Sequence, residues 1–247
     1  MKKRVFLTAI LSLVMCSNSI YAFDGPTHTY VTAKALEIFE KAHGTKYSEI
    51  FTPRNKAIIL EYCVMPDKDE TDDAYSQHFF NLATQKNFKG TEDSALTKLC
   101  THFYRAVGFY QASNVEMAMQ ELGRALHFEE DLSTPVHSNT VSALDAGTKF
   151  LSHVGFEKKC VELQEHFVAE MTPPEFGYYD DNSIRQIGLN SSDMASQNYA
   201  ALNQHKRSHV HKEQLLTEIV GNSVIQAQKN AAGVLYRFCL KVLEEKS

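Results

Sequence analysis

The sequence predicts an all-α fold arranged as a single compact helical domain. Apolar residues recur at the three-to-four-residue spacing of amphipathic helices over most of the chain, whereas the alternation typical of strands is weak everywhere. The 247 residues include only 11 glycines and 6 prolines, and they contain no internal repeat and no Gly/Ser-rich linker. A folded region of roughly 225 residues also fits the usual size of one domain.

Helical periodicity defines six segments of the chain. Asn114 suits the N-cap of the fourth segment, and Pro135 predicts a break soon after that helix ends near Leu132. The stretch from Pro173 to Asn190 is rich in Pro, Gly, Asp and Tyr, and this composition predicts a long loop. The predicted helices cover residues 28–43, 53–64, 93–111, 114–132, 148–171 and 211–244.

The first 22 residues have the pattern of a secretory signal peptide. Lys2, Lys3 and Arg4 precede an apolar run over residues 5–14, and the segment ends in a small residue, Ala22. The apolar run is too short for a membrane-spanning helix. We therefore expect cleavage between Ala22 and Phe23, and a secreted protein, extracellular or periplasmic, whose folded domain comprises residues 23–247.

The charge balance argues against a dedicated nucleic-acid-binding protein. The formal net charge is −5, and it becomes −8 when the three basic residues of the signal segment are removed. An acidic protein repels a polyphosphate unless bound cations or a local basic patch reverse the field. An enzyme whose positive charge is supplied by metal ions remains compatible with this composition.

Cysteine content leaves two alternatives open. An even number of cysteines in an exported protein permits two disulfides in any of three pairings, and four buried thiols in a helical core explain the residues equally well. A cysteine-based metal site is not expected, because the chain has no Cys-x-x-Cys pair. The cysteines of the folded domain are Cys63, Cys100, Cys160 and Cys239.

The segment from Leu126 to His137 carries the clearest chemical signal. His127 and Asp131 are four residues apart on a predicted helix, so their side chains project from one face. The Ser-Thr-Pro turn that follows allows His137 to return towards the same region. Imidazole and carboxylate are good zinc ligands, and a helix commonly presents two of them at this spacing.

Other His and acidic residues extend this pattern. His153 and Glu157 repeat the four-residue spacing on a later helix, and an apparent loop places Asp67 eleven residues before His78. One such pair alone is more often a solvated ion pair than a metal site. Two pairs, a third histidine and an acidic loop together predict a zinc site. These residues supply more ligands than one metal ion needs.

The predicted mature terminus offers a further ligand. Phe23 would become the first residue after signal cleavage, and His28 follows it by five positions. A free amine and the carbonyl oxygen of the same residue can chelate one metal ion, so this use of Phe23 requires cleavage.

The central segment resembles the motif L-H-x-x-x-D-x-x-x-P-x-H of bacterial zinc-dependent phospholipases C, which include the catalytic domain of alpha-toxins. The order of the other pieces is also similar: terminal residue, histidine, Pro-Asp loop, His-Phe, central motif and H-x-x-x-E. The resemblance spans essentially the whole of residues 23–247 and implies the helical fold of the zinc-dependent phospholipase C and zinc nuclease type.

The resemblance implies three Zn²⁺ ions per chain and nine ligand positions. One zinc would be held by Asp67, His78 and His127, and Asp131 would bridge it to a second zinc. That second ion would also take His28 and the amine and carbonyl of Phe23. The third zinc would be held by His137, His153 and Glu157, and Asp67 would act in addition as the catalytic base for the attacking water.

Three positions depart from the family pattern. Phe23 stands where the family usually has tryptophan, which preserves backbone ligation but changes the ring. Glu130 stands where glycine usually precedes the bridging aspartate, and it either crowds the cluster or adds an outer carboxylate. Lys68 follows the loop aspartate, where choline-selective members often have an aromatic residue.

The implied activity is hydrolysis of glycerophospholipids to diacylglycerol and a phosphorylated head group. The implied partner is phospholipid at a membrane or micelle surface, and we expect a monomer without a dedicated nucleic-acid partner.

A single-strand-specific zinc nuclease of the related scaffold is the alternative function. The short spacing from Phe23 to His28 favours it, but Glu157 does not, because nucleases have Asp at that position. A non-catalytic zinc-binding protein is a third reading, although it predicts a missing ligand. The remaining histidines fit no ligand spacing: His43, His102, His166, His205, His209 and His211.

Overall fold

The computed structural model describes residues 25–71, 75–138, 153–204 and 209–244. Within these ranges the chain is helical and forms no β-sheet, with one isolated bridge between Asn81 and Lys86. The predicted all-α fold is therefore confirmed. The α-helices are α1 (Gly25–His43), α2 (Pro53–Tyr62), α3 (Pro66–Asp69), α4 (Ala95–Gln111), α5 (Val115–Leu132), α6 (His153–Leu163), α7 (Gly177–Asp181), α8 (Ile184–Gln204) and α9 (His209–Glu244).

Two predicted elements differ from the structure. The predicted helix 148–171 is α-helical only over His153–Leu163 among its described residues, and a 3-10 turn, Gln164–His166, follows. The predicted loop from Pro173 to Asn190 is wrong, because it contains the 3-10 turn Pro173–Phe176, all of α7 and the start of α8. Ser183 explains the start of α8, since its hydroxyl accepts a hydrogen bond from the Gln186 amide at 3.1 Å.

Helix α5 lies at the centre of the fold. Asn114 caps its N-terminus by accepting a hydrogen bond from the Met117 amide, as the sequence predicted. Helix α4 packs along α5, and α1, α2, α8 and α9 also contact it. Between Leu122 and Leu132, Arg124 is the only residue of α5 that is not buried. Because the interior is closely packed here, the His127 and Asp131 side chains point into protein rather than into solvent.

Gly123 allows α2 to approach α5 closely. A Cβ atom at this position would lie 2.7 Å from the carbonyl oxygen of Ile59, which is too short for a real contact. Gly123 lies one helical turn before His127, and the carbonyl of Cys63 lies at the end of α2. The close approach therefore brings this carbonyl within hydrogen-bonding distance of the His127 ring.

Apolar burial holds the helices around this centre. Fully buried aromatic rings include Phe103, Phe128, Phe156 and Phe238, and burial of each such ring contributes about 1.5–3 kcal/mol relative to exposure. Residues from α1, α2, α4, α5, α7, α8 and α9 contribute to the larger cluster, and residues from α1, α6 and α9 belong to a second one.

The four cysteines among the described residues are free thiols. Cys63, Cys160 and Cys239 are buried, and Cys100 is half-buried. Burial raises the pKa of the Cys160 and Cys239 thiols well above the ordinary value. Of the two alternatives that the sequence left open, the structure therefore has thiols rather than disulfides.

None of the described helices combines the length and the hydropathy that crossing a membrane requires.

Candidate metal centre

Three groups of buried His, Asp and Glu side chains lie around α5. In each group, one potential ligand atom per residue lies within 4.8 Å of the others. The groups use eight of the nine ligand positions that the sequence predicted, while Phe23 lies outside the described residues. The groups are Asp67–His78–His127, His28–His127–Asp131 and His137–His153–Glu157.

The first group joins α5 to the segment that follows α2. Asp67 lies on the one-turn helix α3 rather than in the predicted loop, and His78 ends the 3-10 turn Ser76–His78. The His127 ring Nε2 is 3.6 Å from Asp67 Oδ1 and 3.1 Å from His78 Nδ1. His78 Nδ1 is in turn 3.8 Å from Asp67 Oδ1. The three ligand atoms thus converge on one point.

Asp131 connects this group to His28. Its Oδ2 atom lies 2.9 Å from His78 Nδ1 and 3.4 Å from His127 Nε2. Its Oδ1 atom faces His28 Nε2 at 3.8 Å. The His28 and His127 rings stack with centroids 4.0 Å apart. The two oxygens of one carboxylate therefore face different groups, which is the geometry that a bridging ligand needs.

The third group lies between the turn after α5 and the start of α6. His137 Nε2 is 2.8 Å from His153 Nε2, and His153 Nε2 is 2.7 Å from Glu157 Oε1. His153 and Glu157 lie one turn apart on α6, as their spacing predicted. Phe79 stacks on the His137 ring at 4.5 Å between centroids, which fixes the plane of that ring.

Hydrogen bonds at the outer ring nitrogens orient four of the histidines. In each case the nitrogen turned away from the group faces a carbonyl or carboxylate oxygen, so a proton on that nitrogen leaves the inner nitrogen free to bind a metal. These contacts are His127 Nδ1 to Cys63 O at 2.8 Å, His137 Nδ1 to His78 O at 2.7 Å, His78 Nε2 to Glu70 O at 3.1 Å and His28 Nδ1 to Glu130 Oε2 at 2.5 Å.

Burial keeps these imidazoles neutral. It lowers the pKa of His28, His127 and His137 well below the ordinary value, and neighbouring histidines lower these pKa values further. Neutral imidazole is the form that binds metal. Burial raises the pKa of Asp131 well above its ordinary value, and the charge of the nearby Glu157 raises this pKa further. A dication among these groups would reverse that balance and favour the ionised carboxylate.

The arrangement of the ligand atoms suits binding to metal ions better than hydrogen bonding between the side chains. When His127 and His78 donate their outer protons, the two nitrogens that face each other at 3.1 Å both carry lone pairs. Asp131 Oδ1 is buried and accepts no hydrogen bond within the described part of the chain. Zinc bonds of about 2.0–2.2 Å place tetrahedral ligand atoms roughly 3.3–3.6 Å apart, close to the separations observed here. Imidazole nitrogen and carboxylate oxygen are also the ligand types that zinc uses.

Several residues that shape the site had no sequence signal of their own. The carbonyl oxygens of Cys63, Glu70 and His78 act through the backbone, which every residue shares. Glu130 is a side chain for which the sequence left two roles open, and its contact with His28 is that of an outer carboxylate. His43, His102 and His166 lie outside the three groups. His205 lies outside the described residues, and the side chains of His209 and His211 are not described.

Relatives with similar sequences are phospholipases C. The chain is 27% identical over 263 residues to a phospholipase C of Clostridium haemolyticum, a match that covers 95% of this chain and 65% of the relative. It is 24% identical over 201 residues to a phospholipase C of Clostridium perfringens, covering 70% of this chain and 49% of the relative. No protein-family model matches the chain.

Solved structures of alpha-toxins have the same helical fold. The alpha-toxin of Clostridium absonum superposes with a TM-score of 0.72 at 23% identity, over 87% of this chain and 64% of that one. The alpha-toxin of a Clostridium perfringens avian strain gives a TM-score of 0.72 at 20% identity, over 90% of this chain and 65% of that one. This chain spans about two thirds or less of the length of these proteins. The predicted resemblance to alpha-toxin-type phospholipases C is confirmed.

Proposed function

We propose, from the confirmed resemblance to alpha-toxin-type phospholipases C, that this chain is a zinc-dependent phospholipase C. It would be exported and would hydrolyse a glycerophospholipid to diacylglycerol and a phosphorylated head group. The observation that carries this proposal is Asp131, whose two oxygens face two of the three buried ligand groups. A carboxylate shared in this way supports a multinuclear centre, which suits phosphodiester hydrolysis better than a single structural metal ion does.

The ligand sets follow from the three groups. Asp67, His78 and His127 would hold one zinc, with Asp131 shared with a second. His28 would hold that second ion together with the amine and carbonyl of Phe23. The separate group of His137, His153 and Glu157 would hold the third. Helix α1 begins at Gly25, two residues beyond Phe23, and delivers His28 to the site.

Each residue type has a defined task in this reaction. Bound zinc would supply Lewis-acid chemistry, polarising the phosphate oxygens and lowering the pKa of the attacking water. Asp67 would accept the proton of that water, as the resemblance implies. Attack on phosphorus would break the bond to the glycerol oxygen, which takes up a proton and leaves as diacylglycerol. The hydrogen-bonded imidazoles would hold the ligand geometry through this change.

The charge of the centre supports an anionic substrate group. The three groups contain three carboxylates, Asp67, Asp131 and Glu157. Three dications would outweigh these charges, so the loaded centre would be positive although the chain as a whole is acidic. Such a centre would attract the phosphodiester of a lipid at a membrane or micelle surface. Lys68 is exposed beside Asp67 and argues against a choline-specific head-group pocket at this position.

An activity panel tests this function against its alternative. Protein beginning at Phe23 would be incubated with vesicles of phosphatidylcholine, phosphatidylethanolamine or phosphatidylglycerol, and separately with single-stranded DNA. We expect release of a phosphorylated head group from at least one lipid, loss of this activity with a chelator and recovery with zinc. His166→Ala, which changes an exposed histidine outside the groups, should retain the activity. Cleavage of DNA without cleavage of lipid would instead identify a nuclease, and inactivity of zinc-loaded protein on the whole panel would contradict the proposal.

A further inference from the structure

A charged network surrounds Glu70, a residue outside the three ligand groups. The Glu70 carboxylate contacts Arg124 Nη1 at 2.7 Å and Lys98 Nζ at 3.1 Å. It also contacts His102 Nε2 at 3.1 Å. Arg124, Lys98 and His102 therefore hold the Glu70 carboxylate from three sides.

The backbone of Glu70 reaches two of the proposed zinc ligands. Its amide donates to the Pro66 carbonyl at 2.9 Å and so closes the one-turn helix α3 that carries Asp67. Its carbonyl accepts the His78 ring Nε2–H at 3.1 Å and also a hydrogen bond from the Gln77 side chain. A movement of Glu70 would therefore displace Asp67 and release the His78 ring together.

Arg124 connects this segment to the helix that carries His127. Its guanidinium forms two contacts with Asp69, at 2.8 and 2.5 Å, in addition to the one with Glu70. Such a planar fork fixes orientation as well as distance. Arg124 lies on α5, three residues before His127. It therefore joins the two parts of the chain that supply the Asp67–His78–His127 group.

His102 adds a second connection to α5. Its Nδ1 lies 2.6 Å from Glu121 on α5, while its Nε2 lies 3.1 Å from Glu70. The two ring nitrogens thus face different carboxylates, and no single point is shared by all three side chains. Because Lys98 and Arg124 also approach, these residues form an ion network rather than a further metal site.

We propose that Glu70 and Arg124 are positioning residues that hold Asp67 and His78 in the geometry required for zinc. The role of zinc rests on the proposed function, whereas the hold on the His78 ring does not require it. They would act through the Glu70 carbonyl, the end of α3 and the connection to α5. Loss of a group that orients a zinc ligand typically weakens metal binding by about 10–100-fold.

Two substitutions with a matched control test this role. Glu70→Gln keeps the size and the backbone of the residue but removes the charge that its three partners hold. Arg124→Gln removes the fork, and Arg124→Lys retains the charge as a conservative rescue. Glu40→Gln is the control, because it breaks a similarly short ion pair, 2.6 Å to Lys56, away from the three groups. Circular dichroism would verify that each variant is folded.

Two measurements on these proteins test the positioning role: the zinc affinity and the exchange of the His78 ring proton. Competition between the protein and a chromogenic chelator, with zinc chloride as the only added metal, gives the affinity of each site. NMR of histidine-labelled, zinc-free protein follows the His78 Nε2–H signal, assigned from its absence in His78→Gln. We expect Glu70→Gln and Arg124→Gln to weaken one zinc site about 10–100-fold and to speed exchange of this proton with water. Arg124→Lys should restore part of both, and Glu40→Gln should change neither.

The outcomes separate this inference from the proposed function. An unchanged His78 signal in folded Glu70→Gln would overturn the positioning role, whether or not the protein binds zinc. Unchanged zinc affinities in Glu70→Gln would overturn it as well. A wild-type protein that binds no zinc would contradict the proposed function, but faster exchange of the His78 proton in Glu70→Gln would still support the positioning role.

Discussion

His28 Nδ1 lies 2.5 Å from Glu130 Oε2, and both side chains are fully buried. Thr32 holds the other oxygen of the same carboxyl at 2.7 Å. Burial raises the pKa of Glu130 and lowers that of His28, so the pair is neutral overall when no cation is nearby. A dication on the far ring nitrogen would favour the carboxylate and make His28 a stronger ligand. We therefore expect Glu130, which stands where the phospholipase C motif usually has glycine, to strengthen His28 as a ligand instead of crowding the site.

Glu130→Gln tests this contribution. The amide keeps the shape of the side chain but cannot carry the negative charge that strengthens the imidazole. We expect zinc affinity at the His28 group to fall about 10–100-fold, measured by competition with a chromogenic chelator. Glu162→Gln, at an exposed position on α6, should leave the affinity unchanged. Equal affinities in Glu130→Gln and wild type would remove the role of Glu130.

Asp131→Asn tests the shared carboxylate. Because one side chain would serve two ions, its loss should lower the zinc content from about three to about one per chain, with activity falling by orders of magnitude. Metal analysis of extensively dialysed protein measures this directly. His166→Ala is the matched control and should keep the wild-type content. Retention of about three zinc ions by Asp131→Asn would show that the carboxylate does not bridge.

Zinc removal should strongly destabilise the fold. Ions that bind only the folded chain stabilise it by about 2.7 kcal/mol each when their free concentration is a hundred times Kd. Their loss also leaves the facing lone pairs of His78 and His127 without a cation. We expect a chelator to lower Tm by on the order of ten degrees or more. Thermal unfolding monitored by circular dichroism measures this shift. A melting curve that is unchanged after verified loss of zinc would contradict this coupling.

The Glu70 network predicts how stability depends on pH. The pKa of Glu70 is lower in the folded chain than its ordinary value, so its contribution is present above about pH 4.5 and is lost as the pH falls towards about 2. Burial lowers the pKa of His102, but its hydrogen bonds with Glu121 and Glu70 prevail and raise it. The contribution of His102 to folding stability is therefore complete below about pH 6.5. It is lost as the pH rises through the raised pKa of His102 in the folded chain.

Glu70→Gln should flatten the acid side of this profile. Urea unfolding of chelator-treated protein between about pH 3 and pH 7 would give the free energy of unfolding at each pH. The wild type should lose more stability than the variant as the pH falls through the lower half of this range. Parallel profiles would mean that Glu70 does not carry the proposed charge in the folded chain.

The sequence predicted the elements that depend on local spacing. His127 and Asp131, like His153 and Glu157, lie one helical turn apart, so helix geometry alone brings each pair together. No predicted helix covers α8 (Ile184–Gln204). The Pro- and Gly-containing segment before it resembles a loop, although Ser183 is a local cap signal. Arg124 and Glu70 are 54 residues apart, and no local pattern pairs them. Backbone carbonyl partners of the histidines likewise depend on tertiary packing, as at Gly123.

Zinc-edge anomalous diffraction from crystals of protein beginning at Phe23 locates each bound zinc ion directly. We expect three zinc peaks, one in each buried group. One peak should lie among Asp67, His78 and His127, one between His28 and Asp131, and one among His137, His153 and Glu157. The absence of zinc from these groups in crystals grown with zinc, or zinc bound only at other histidines, would contradict the three-zinc centre.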